Sequence, residues 1–353
     1  MLRLIASLCV AAGLFGLAAL PARAQQVNWV YANGYAKDHP QVGTLADEFI
    51  KRVEKATDGR LKIRHVPGGA LLKPENMVDG VRGGVANMGS TVVSFFPGQL
   101  PISATLAGLV DLRYGNKLDL NGITEITTQL LDNVPEFAGE YEKLGLKVIW
   151  FVPSPAYAVI SNDPITGLDG FVGKKIRVLG NVMPKLVEAA GGVPLSVAFS
   201  EIYTSLQTGV INGALTDPPA MLNAKLFEVA KNLVTTGPGN GALTAIAPVA
   251  YFVNLKDWNA LPKDMQDAIL SVAKEMTALG SQKMTELADA SIGKLRDEGV
   301  TVHHLSEEDT KKLAQKAPDF LALAADVLTK NGLPGDKIVS EYRQLADAYI
   351  AGK

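Results

Sequence analysis

The stretch Gly173-Lys174-Lys175-Ile176-Arg177-Val178, followed after a short interval by Ala198-Phe199-Ser200-Glu201-Ile202-Tyr203-Thr204-Ser205-Leu206-Gln207-Thr208-Gly209-Val210-Ile211-Asn212-Gly213, organises the chain. Residues 175–178 read as a short strand in which Arg177 alternates with Ile176 and Val178. Between the two segments, 183–190 reads as a helix closed by Gly191-Gly192. Residues 200–208 read as a second helix closed by Gly209, because glycine takes the left-handed backbone that stops a helix. A further strand ends at Thr216 and Asp217. Strands alternating with helices in this order predict an α/β protein with largely parallel sheets.

The same alternation extends toward both termini. Residues 27–32 read as a strand, 41–57 as an amphipathic helix with Leu45, Phe49 and Val53 on one face, and 61–66 as a second strand before the turn Pro67-Gly68-Gly69. A helix over about 74–83 and a buried strand over 85–88 follow. Residues 148–152 and 157–160 are extended runs interrupted by Pro153 and Pro155, a pattern that suits a chain crossing between two domains. Residues 262–295 are nearly all helix formers apart from Gly280 and Gly293, which predicts one long helix bracing both domains or a kinked pair. Ser306-Glu307-Glu308-Asp309 reads as a helix start.

Residues 1–24 carry Arg3, an apolar run through Leu20 and the A-x-A site Ala22-Arg23-Ala24, the form of a cleaved export signal that leaves Gln25 as the mature start. The rival reading, a retained anchor, has a run that barely reaches spanning length and is closed by Pro21. Cys9, the only cysteine of the 353 residues, falls inside the signal and too early for lipidation. The mature chain then has no disulfide, thiol nucleophile or thiolate ligand. Removing 24 from 353 leaves 329 residues, enough for two cored domains. The signal takes two of the 34 basic residues and none of the 36 acidic ones, leaving a formal charge of −4 that favours neither nucleic acid nor an anionic membrane as partner.

Catalytic signatures are missing. The chain has no G-x-S-x-G, H-E-x-x-H, G-x-x-x-x-G-K-[ST] or G-x-G-x-x-G. Adjacent His303 and His304 on a strand point to opposite faces, poor geometry for one metal. His39, before Pro40, suits a helix entrance, and His65 suits a satisfied histidine at a sheet end. The carboxylates lie scattered among lysines and read as solvated surface. No cofactor or metal is expected.

The quoted segments closely resemble the central motif of the substrate-binding proteins of tripartite ATP-independent periplasmic (TRAP) transporters. The likeness continues through His39-Pro40, Thr57-Asp58-Gly59-Arg60, residues 81–88 and Val253-Asn254-Leu255-Lys256-Asp257-Trp258. It implies a two-lobed periplasmic protein that closes over one small ligand and hands it to a membrane permease pair driven by an ion gradient. In that family the arginine of the motif pairs with the ligand carboxylate, and Arg177 matches it; the plain alternative is a surface arginine. Phe199, at the family's aromatic position, would pack on the ligand body, or else be a core phenylalanine. Three departures follow: Tyr157 stands where many members have a second arginine, Asn212-Gly213 replaces an acidic-glycine pair, and Leu215 replaces a following acid.

Losing one cation argues against a dicarboxylate and for a more apolar pocket, with Tyr31, Asn33, Thr91 and Thr216 orienting the ligand. Asp217 either accepts a hydrogen bond from the ligand or caps the next helix. The expected lobes are 25–154 with 243–283, and 155–242 with 284–320, followed by a C-terminal helical segment, 321–353. The resemblance implies capture of a small ligand for a TRAP permease, and the departures from it narrow that ligand to an organic acid with one carboxylate and a moderately apolar body; a ligand sensor for a membrane receptor and a secreted α/β enzyme are the alternatives.

Overall fold

The computed structural model describes residues 26–107, 109, 114, 118–178, 183–235 and 248–352; the expected export signal lies outside them. The chain begins with β1 (Val27–Ala32), a π-helical turn over Pro40–Thr44, α1 (Leu45–Ala56), β2 (Leu61–Val66), α2 (Met77–Arg82) and β3 (Met88–Val92). Three helices follow, α3 (Pro101–Ala107), α4 (Leu120–Asn133) and α5 (Pro135–Glu142), and then β4 (Leu146–Val152) and β5 (Ala158–Ser161). Next come β6 (Lys175–Val178), α6 (Met183–Ala189), β7 (Val193–Ser196), α7 (Ile202–Gln207), β8 (Gly213–Thr216), α8 (Pro218–Asn223) and β9 (Asn232–Thr235). The chain ends with β10 (Val249–Asn254), α9 (Leu255–Asn259), α10 (Lys263–Asp297), β11 (Thr301–His304), α11 (Glu307–Lys316), α12 (Phe320–Lys330) and α13 (Gly335–Ala351).

These strands form two sheets, ordered β2-β1-β3-β10-β4 and β11-β9-β5-β8-β6-β7. The expectation of largely parallel sheets needs correcting, because each sheet is mixed. β10 runs antiparallel to both β3 and β4, and β5 runs antiparallel to both β8 and β9. The antiparallel strands sit where the chain changes sheet. β4 ends in the first sheet at Val152 and β5 opens in the second at Ala158, so residues 153–157 make the crossing, while β9 and β10 belong to opposite sheets.

The strand expected at 85–88 begins instead at Met88. Val85 donates its N–H to Gly80 O after Gly84 at φ 79°, which closes α2, and its side chain is 55% exposed. Pairing starts where Met88 meets both Tyr31 and Val253. α10 is one helix of 35 residues, not a kinked pair. Its first two-thirds, from Met265 to Met284, pack with Trp29, Phe49 and Trp150 of the first sheet's layer, and Ile292 and Leu295 pack with Ile160, Ala214 and Leu233 of the second. α10 therefore ties the two halves through burial of its own apolar residues. α13 packs on α4, and the Tyr349 hydroxyl donates to Asp119.

Polar side chains fix the local turns. Ser306 accepts from Asp309 N at 3.0 Å and caps α11. His65 meets Asp47 at 2.7 Å and Asn33 at 3.4 Å. His303 and His304 reach Asn232 and Thr235 separately. No helix among the described residues is long and apolar enough to cross a membrane.

Candidate functional site

Parallel strands β6, β7 and β8 bring the ends of Val178, Ser196 and Thr216 to one edge of the second sheet, the edge at which α/β sheets bind ligands. Arg177 stands one residue short of that edge, opposite Ala214. The residue is 1% exposed, and its guanidinium is held by two backbone acceptors: Nε donates to Val197 O at 3.0 Å and Nη1 to Leu215 O at 3.3 Å. Among the described residues it forms no ion pair with any carboxylate. Burial pulls its pKa down from the usual guanidinium value, and the nearby Tyr157 opposes that shift. A desolvated cation without a counter-ion is costly unless a charge is brought to it. Two backbone carbonyls only orient the fork.

Antiparallel β5 and β8 pair Ala158 with Thr216, which sets Tyr157 beside Asp217 just beyond the ladder. Tyr157 packs on the apolar cluster that includes Val159, Val178 and Leu215. Burial raises its phenol pKa, the Asp217 charge raises it further and Arg177 lowers it, so Tyr157 lies within electrostatic reach of both. Asp217 caps α8, accepting from Ala220 N at 2.9 Å. Burial pushes its carboxyl up to about 6 in spite of that bond. Thr216 is 4% exposed at the end of β8. Asn212 accepts from Lys175 N at 2.9 Å and locks the start of β8 to β6.

Phe199 opens a 3-10 turn, Phe199–Glu201, beyond the end of β7 and is 46% exposed, so it is not a core phenylalanine. Tyr31 and Asn33 lie apart from this group. Both are fully buried in the first sheet's layer, where the Tyr31 hydroxyl meets Val42 O at 2.8 Å and Ser90 Oγ, and Asn33 Nδ2 donates to Val42 O at 2.9 Å. Their polar atoms hold the π-helical turn against β1. Tyr251 supports the same turn by donating to Gln41 O. Thr91 is fully buried in β3 and its hydroxyl has no hydrogen-bond partner among the described residues.

One buried acid was not foreseen. Glu140 of α5, 5% exposed, accepts from Ile102 N at 2.8 Å and Ser103 N at 3.0 Å, and also from Ser103 Oγ, capping α3 across the fold. Its only sequence context was a carboxylate among others on a helix. An apolar cavity under Leu130, Phe137, Phe151 and Tyr342 holds about 20 Å³. That is room for about one water, and Arg177 does not line it. Among the described residues no group of three or more His, Cys, Asp or Glu could hold a metal ion.

A family model described as bacterial extracellular solute-binding protein, family 7 (DctP), matches residues 31–323. A C4-dicarboxylate-binding periplasmic protein of Rhodobacter capsulatus is 26% identical over 309 residues, covering 87% of this chain and 89% of that one. Among solved structures, a marine-metagenome TRAP solute-binding protein specific for aromatic acids, bound to metahydroxyphenylacetate, superposes with a TM-score of 0.77 at 20% identity, covering 92% of this chain and 99% of that one. A pyroglutamic-acid receptor of Bordetella pertussis superposes with a TM-score of 0.68 at 21% identity over 90% of this chain and 99% of its own. With a matching family model over most of its length and the two-sheet fold of TRAP binding proteins, this chain belongs to the bacterial extracellular solute-binding protein family 7.

Proposed function

We propose that this protein is a periplasmic binding protein that captures a small organic acid, with one carboxylate and a moderately apolar body, and delivers it to the permease subunits of a TRAP transporter. The observation that carries the reading is Arg177, a buried guanidinium oriented by two carbonyls and paired with no carboxylate among the described residues. A ligand carboxylate supplies the missing charge through a charge-assisted hydrogen bond. The family is one of transport proteins, and the role proposed is binding, not catalysis.

Tyr157 is why the ligand is a monocarboxylate: a phenol in place of a second cation leaves one site of positive charge. Phe199 covers the apolar body, and Thr216 and Thr91 orient it. Tyr31 and Asn33 act through the turn they hold. The two lobes follow the two sheets, with residues 153–157 as a hinge, and residues 1–24 direct export. Related proteins that bind metahydroxyphenylacetate and pyroglutamic acid fit the same chemistry. A thermal-shift screen of residues 25–353 against an organic-acid library tests the reading. A ligand at 100 times its Kd stabilises the native state by about 2.7 kcal/mol, so monocarboxylates should raise the melting temperature. Stabilisation by dicarboxylates alone, or by no acid, would defeat it.

A further inference from the structure

Capping occupies only half of the Asp217 carboxylate. Oδ1 accepts from Ala220 N at 2.9 Å, whereas Oδ2 accepts no hydrogen bond from another of the described residues. Tyr157, its neighbour across the β5–β8 pair, makes no hydrogen bond to it, and the Thr216 hydroxyl makes none among the described residues. Asp217 is only partly buried, so Oδ2 reaches solvent in the free protein, and a ligand that displaced that solvent without offering a donor would leave the acceptor unmet. A simple fatty acid or arylacetate held at Arg177 would bring a second anion toward this oxygen and offer it nothing. A ligand with a donor group would satisfy it.

We infer that the ligand carries, besides the carboxylate held by Arg177, a hydroxyl or N–H donor that Asp217 Oδ2 receives, so that the site selects hydroxy acids or lactam acids over their donor-free counterparts. The inference rests on the carboxylate reading above and narrows it. Position 217 then works twice, fixing the start of α8 and reading the ligand.

The test is calorimetric titration and thermal shift of the wild-type mature protein and Asp217→Asn with matched acids: phenylacetate against mandelate and 3-hydroxyphenylacetate, isovalerate against 2-hydroxyisovalerate, and cyclopentanecarboxylate against pyroglutamate. Asparagine keeps the capping oxygen and replaces Oδ2 by a donor. In the wild type, at least one donor-bearing member should bind about tenfold or more tighter than its partner, the value of a hydrogen bond to a charged group. In Asp217→Asn that preference should collapse, with the donor-free acid retained. Equal binding within every pair would overturn the donor subsite and leave the carboxylate reading standing. A preference that survives Asp217→Asn would overturn the assignment to Asp217. No shift with any of the seven acids would remove the carboxylate reading and this inference together.

Discussion

Replacing Arg177 by alanine removes a buried guanidinium and leaves Val197 O and Leu215 O without their donors. Two effects on the free protein oppose each other: loss of a desolvated, unpaired cation is favourable, and loss of two charge-assisted hydrogen bonds costs about 1.5–3 kcal/mol each. The apo protein should therefore stay folded, with a modest change in melting temperature. Binding has no such compensation. Truncating one member of a desolvated charge pair costs about 2–5 kcal/mol, or roughly 30- to several-thousand-fold in Kd. Arg177→Lys should recover little, because an ammonium restores the charge without the planar fork oriented by the two carbonyls. Tyr157→Phe, which keeps the ring and deletes one hydroxyl, should lose only about 1 kcal/mol. Calorimetric titration of the three variants with an acid selected by thermal shift measures all of this. If folded Arg177→Ala bound within a few-fold of wild type, the carboxylate would have to be held elsewhere.

Three further outcomes are expected. Glu140, raised by burial from 4.5 to about 7, holds its proton more tightly in the folded chain. Its contribution to stability is full below pH 4.5 and is lost as pH rises through about 7, a change on the order of 3 kcal/mol. Urea unfolding of wild type and Glu140→Gln at pH 4.5 and 8 should show their difference in stability shrinking at the higher pH by that order; an unchanged difference would refute the assignment. Rigid lobes on a short hinge should close over ligand, so solution scattering should show the radius of gyration fall on saturation, and an unaltered profile would count against closure. Exported protein should begin at Gln25 and carry no thiol, and N-terminal sequencing that returned Met1 would contradict the processing.

Local signals were legible where one segment decides the structure. The α1 stripe of Leu45, Phe49 and Val53, the glycines closing α1 and α7, and the Ser306 cap all form as their residue types dictate. Long-range pairing was not legible. β3 starts at Met88 because β10, more than 150 residues later, lies against it, and no periodicity within 83–92 encodes that partner. The mixed sheets have the same origin, since strand direction follows from where the chain changes lobe.

The candidate site divides along the same line. Arg177 and Thr216 lie on neighbouring strands of one sheet, Tyr157 and Asp217 lie one residue beyond the ends of β5 and β8, and the four gather at its edge. Tyr31 and Asn33, read as orienting groups, spend their polar atoms on Val42 O, because a π-helical turn with Gly43 pressed against Lys37 O needs anchoring. Glu140 carried no signal, because nothing in 135–142 shows that the amides of Ile102 and Ser103 will face it.

The central claim is that a ligand carboxylate completes Arg177. A crystal structure of the mature protein with an acid selected by thermal shift tests it most directly. A carboxylate oxygen should lie within about 2.7–3.1 Å of a guanidinium nitrogen of Arg177, with Phe199 against the ligand body. A bound acid whose carboxylate lies away from Arg177, with the guanidinium still meeting only Val197 O and Leu215 O, would contradict it.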